Sequence, residues 1–120
     1  MLTLLLAAFV QAAPAAAPEP PIAVAARAFS GCIRGKLASA PAELSPEAAA
    51  DALIGQCGTE KAGLDAAFAT ILENVPEAEK AAAQKEYDDG IAEGRQGVID
   101  AITKLRAGAA DAARSQPVGR

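Results

Sequence analysis

Cys32 and Cys57 are the two thiols of the chain, and what they do depends on compartment, because disulfides persist in oxidising surroundings and are rare elsewhere. Each lies on an amphipathic helical stretch, and the segment between them reads as a helical hairpin. A bridge closing that loop stabilises a small domain by roughly 3 kcal/mol in the chain-entropy model. A redox-active pair would instead favour a C-x-x-C at a helix start, where a thiol pKa is readily lowered, and these two are far apart in sequence. A metal site would leave a tetrahedral ion half coordinated by two thiolates, since the chain has no histidine. The expectation is a structural disulfide between Cys32 and Cys57, with a thiol/disulfide redox protein as the alternative.

Other chemistry is sparse. Without histidine the commonest general base and the usual triad are missing, which leaves carboxylate or lysine chemistry. Glu86, Asp88 and Asp89, followed by Gly90, suggest calcium. The EF-hand spacing and its closing glutamate are absent, and neighbouring helical residues point different ways, so a solvated acidic face is the better reading. No catalytic, cofactor or metal motif emerges, and the expectation is a protein that is not an enzyme. The net charge is −4, with 11 basic residues among 15 acids. No long basic stripe with interleaved aromatics forms, which excludes nucleic acid as the expected partner. Arg27, Arg34 and Lys36 make a small basic face that either touches anionic lipid or is simply solvated.

The beginning of the chain supplies the compartment. Met1 to Val10 is an apolar run followed by Gln11-Ala12-Ala13, the pattern of a secretory signal peptide with Val10 and Ala12 before the cut. No Lys or Arg precedes the run, so the α-amino group carries the n-region charge, or the true start lies upstream. Leu2 to Val10 is about half the length of a membrane span. Residues 13–21 are an Ala/Pro spacer, in which repeated prolines remove backbone donors and favour extended geometry. A periplasmic or secreted protein is expected. Phe29-Ser30-Gly31-Cys32 also resembles a bacterial lipobox, which would make Cys32 an acylated N-terminus. Arg27 and Pro20-Pro21 interrupt the apolar region that such a box needs.

These residues must be positioned by helices, because apolar positions recur at helical spacing and no alternating sheet pattern occurs. Ile22, Ala26, Phe29, Ile33 and Leu37 mark a first helix ending near Ser39, ahead of Pro41. Ser45-Pro46-Glu47 combines an N-cap, a proline at the first helical position and an acid in the first turn. From there Leu53, Cys57, Leu64, Phe68, Ile71 and Val75 keep phase through Gly58, which predicts one helix to about Glu73, bent at the glycine. Asn74-Val75-Pro76-Glu77 turns the chain into a third helix carrying Tyr87, Ile91, Val98, Ile102 and Leu105. The expected domain covers 22–109, with residues 110–120 as a disordered tail.

The predicted fold is therefore all-α: a small Ala-rich antiparallel three-helix bundle, a short first helix on a long helical hairpin, with one disulfide. Alanine supplies helix propensity but little buried area, so the core is thin. A turn between Val75 and Pro76 pairs Leu64 with Tyr87, Leu53 with Val98 and Ala49 with Ile102, and sets Gly94 opposite Cys57. Gly94 is then a helix-packing glycine that makes room beside the bridge. The first helix is expected near the start of the second, against the C-terminal half of the third. Phe68, Ile71, Leu72 and Val75 then face only alanines near the turn, and this tip is the candidate surface for self-association or for a protein partner. The whole arrangement resembles small helical periplasmic proteins of bacteria, a likeness of pattern that implies a compartment and no activity.

Overall fold

The computed structural model describes residues 18–115, so the signal-peptide reading of 1–12, most of the spacer and residues 116–120 lie outside the described part. Helix α1, Pro21–Lys36, opens with proline at its first position, where a missing N–H costs nothing. A 3₁₀ turn, Leu37–Ser39, closes it, and the Ser39 hydroxyl donates to the Lys36 carbonyl at 2.9 Å. Helix α2, Pro46–Gln56, starts as its sequence demands: Ser45 Oγ accepts from the Ala48 N–H at 3.1 Å, and Glu47 sits in the first turn.

The second helix predicted as one piece is two. At Cys57 the backbone takes φ −99° and ψ 29°, out of the helical well, and helix α3, Gly58–Glu73, departs in a new direction. Continuous apolar phase does not prevent this, because the two halves pack on different partners. α2 packs along the last helix, whereas α3 packs along α1. The first helix thus lies mainly on the segment after Cys57 and touches the segment before it only slightly, contrary to expectation. Since Cys32 near the end of α1 is tied to the start of α3, those two helices run antiparallel.

Asn74 ends α3, its side-chain amide donating to the Thr70 carbonyl at 3.1 Å. Pro76 is extended, a 3₁₀ turn spans Glu77–Glu79, and helix α4 runs Lys80–Ser115 for 36 residues, about 54 Å at the helical rise. It passes the fade of the apolar pattern at Gly108, so the tail expected from 110 is helical as far as Ser115. The residues there are mostly alanine, whose propensity holds a helix without tertiary contacts.

The protein is an all-α fold with a long helical hairpin and one disulfide, and its described residues form four α-helices where three were expected. The core is small: Ala49, Ala50 and Leu53 of α2 are fully buried against Ile99 and Ile102 of α4, with Leu37, Ala40 and Val98 at its edge. The predicted pairings of Ala49 with Ile102 and Leu53 with Val98 meet in this cluster. Arg106 ties the α1–α2 loop down, donating to the Pro41 and Leu44 carbonyls at 2.7 Å each. No polar or charged residue is buried among the described residues.

Candidate functional site

The break at Cys57 decides what stays open. Because α2 turns toward α4 and α3 toward α1, helices α1 and α4 are not packed on each other, and a groove of about 450 Å³ lies between them. Phe29 and Ile33 of α1, with Leu37 of the 3₁₀ turn that follows it, form one wall, Ile91 and Val98 of α4 the other, and Ile54 and Leu64 also line it. Gly90, Gly94 and Gly97 recur at spacings of four and three along the α4 wall. Their place on one helix face gives the groove its width, since none carries a side chain into it.

Gly94 thus does not have the packing role that the sequence suggests. A Cβ built on Gly94 meets nothing within 4 Å, so no close helix approach needs that glycine. The expected position opposite Cys57 does not bring a helix onto Gly94, because α2 packs mainly on α4 while α3 packs mainly on α1. The glycine that reads as a packing residue in sequence is part of the wall of an open groove in three dimensions.

The disulfide holds this geometry. Cys32 and Cys57 are bonded with Cα atoms 6.0 Å apart, within the usual range, and Cys57 is fully buried. The Glu60 carboxylate stands beside the two sulfurs. Both sulfurs are used in the bridge.

On the other side of the α3–α4 junction lies a more polar arrangement. The Tyr87 ring stacks on Phe68 with centroids 4.1 Å apart and planes 4° from parallel. Its hydroxyl donates to Asp65 Oδ1 at 2.5 Å, and Lys61 Nζ reaches the same carboxylate at 2.9 Å. The tyrosine hydrogen bond, then the lysine, lower the Asp65 pKa. Burial, then the hydrogen bond to Asp65 and that residue's charge, push the Tyr87 phenol far up. Asp51 on α2 takes two bonds from the Arg95 guanidinium of α4, at 2.7 and 3.1 Å; the hydrogen bond lowers the Asp51 pKa and raises that of Arg95. These groups fasten helices to one another, and none stands as a free nucleophile or base.

The hairpin tip is less bare than the sequence suggests. Phe68 is half-buried under Tyr87, and Leu72 and Val75 are also half-buried, while Ile71 stays 41% exposed. The acidic residues are spread as expected of a solvated face: Asp88 accepts from Gln84 and Asp89 pairs with Lys85 at 2.6 Å. Of the basic face, Arg27 pairs with Glu19, whereas Arg34 reaches the edge of the groove.

Sequence reasoning finds the bridge and the small core but misses the groove, Arg34's place in it, and the Asp51–Arg95 and Asp65–Tyr87 links. The available signal was the glycine spacing on one face of α4, which marks a face without side chains but not whether a helix fills it. No helix among the described residues is long and apolar enough to cross a membrane. Comparison with protein-family models, with curated proteins and with solved structures gives no match.

Proposed function

We propose that this chain is a non-enzymatic, exported binding protein of the bacterial periplasm or exterior, whose bridged helices hold an apolar groove open for a ligand. The observation that carries this reading is the groove between α1 and α4, which has the size and apolar lining of a ligand site. Export is supported by the apolar run Met1 to Val10 and by the Cys32–Cys57 bond, which suits an oxidising compartment. The ionisable groups beside the helices are engaged in links between elements, which supports binding over catalysis.

The test uses a neutral, environment-sensitive naphthylamine dye. Wild-type protein should bind it with an emission increase that saturates at one dye per chain, and Gly94→Leu, which places an isobutyl group in open space on the groove wall, should lose most of that signal. Equal binding by both proteins would show that the groove is not the site.

A second reading is favoured by Ile71. Its exposure, beside Leu72 and Val75 and opposite the alanines that open α4, supports self-association in which the large residues of one tip meet the alanine surface of a second copy. Sedimentation of wild type and Ile71→Glu over a concentration series decides it: a dimer that the variant abolishes supports the tip, and a monomer throughout removes it.

A further inference from the structure

The charges around the groove run against the charge of the whole chain. Acids outnumber bases by 15 to 11, yet the ionisable residues lining this groove are Arg34, Lys61 and Arg95, with no carboxylate among them. Lys61 and Arg95 are already paired, with Asp65 and Asp51. Arg34 enters no ion pair among the described residues. One turn earlier on the same helix, Ser30 adds a hydroxyl at the groove. An apolar groove with an unpaired guanidinium at its edge is complementary to an apolar chain that ends in an anion.

We propose that the groove binds a long-chain carboxylate, a fatty acid, with its hydrocarbon between α1 and α4 and its head on Arg34. The inference rests on the groove being the binding surface and adds the class of ligand. Volume favours a single molecule over a membrane: the trough has the dimensions of a small-ligand site and lies between two helices. An arginine is suited to the head, because its planar fork meets both carboxylate oxygens while the stem lies along apolar surface.

The experiment is calorimetric titration of full-length oxidised protein with dodecanoate, dodecanol and dodecylamine, each below its micellar concentration. Dodecanoate should bind tightest, at one per chain, and dodecylamine weakest. Shortening the acid by two carbons should weaken it roughly tenfold, as expected when each methylene is buried. Arg34→Gln should bring dodecanoate down to the level of dodecanol and leave dodecanol unchanged, while Arg34→Lys should keep part of the preference. Arg34 is exposed, so neither variant should disturb folding. Dodecanoate no tighter than dodecanol, or unaffected by Arg34→Gln, overturns the carboxylate assignment even if the neutral dye still binds. Binding to vesicles containing an anionic phospholipid with none to the free acid also overturns it, in favour of a membrane surface. Loss of dye and acid binding together would remove the groove itself.

Discussion

The Tyr87 hydroxyl donates to the Asp65 carboxylate across 2.5 Å, joining α4 to α3 at the level where the Tyr87 ring lies on Phe68. Tyr87 is the single tyrosine and the chain has no tryptophan, so an ultraviolet titration reads this residue alone. Ionising the phenol would set it against Asp65, and its pKa is raised. Tyrosinate absorbance should therefore stay absent past pH 10, the ordinary range, until the protein unfolds. In Asp65→Asn the transition should fall toward that range. An ordinary titration in the wild type would contradict the contact.

The same link gives stability a pH dependence at both ends. Asp65 has a lowered pKa in the folded state, so its contribution is present above the unfolded carboxylate value near pH 3.9 and is lost as pH falls through the folded value. Tyr87 has a raised pKa, so its contribution is present below about pH 10 and is lost as pH rises through the folded value. Asp65 is exposed, so solvent screening keeps its effect small, whereas Tyr87 is half-buried. Thermal unfolding across pH should show the acid-side loss reduced in Asp65→Asn and the alkaline-side loss reduced in Tyr87→Phe.

Cys32 and Cys57 should resist alkylation in native protein until a reductant is added, and removing the bridge should cost about 3 kcal/mol. The paired variant Cys32→Ser/Cys57→Ser, measured by urea unfolding, checks the magnitude. Two fast-reacting thiols in freshly purified protein would contradict the bond.

The core and the helix surfaces should respond differently. Leu53→Ala, at a fully buried position between α2 and α4, should lose about 2–5 kcal/mol. Gly94→Ala should gain up to about 1 kcal/mol, because a helical glycine is conformationally costly and the added methyl meets nothing. A destabilised Gly94→Ala would restore the close packing that the sequence suggests.

What the sequence makes legible is local. Ser45-Pro46-Glu47 announces a helix start through its capping chemistry, and the structure has that hydrogen bond. The spacing of Ala49, Leu53, Val98 and Ile102 sets a register that the core keeps. Angles between elements are not written this way. The stripe through Cys57 runs on in phase, and only the choice of partner, α4 before the break and α1 after it, decides that the axis turns. Gly94 is ambiguous in sequence for the same reason, since a face of glycines admits either a close helix or an open groove. In sequence Arg34 is one of three bases that touch anionic lipid or are solvated, and its nearness to α4 is not legible because it depends on that turn.

The central claim is that the groove between α1 and α4 is the working surface, and mapping methyl chemical shifts during addition of dodecanoate tests it most directly. The methyls of Ile33, Leu37, Ile91 and Val98 line the groove and should shift together and saturate at one ligand per chain, while Leu105 and Ile71, exposed outside its lining, should not move. Shifts confined to Ile71, Leu72 and Val75, or no saturable shifts at the groove methyls, would contradict it.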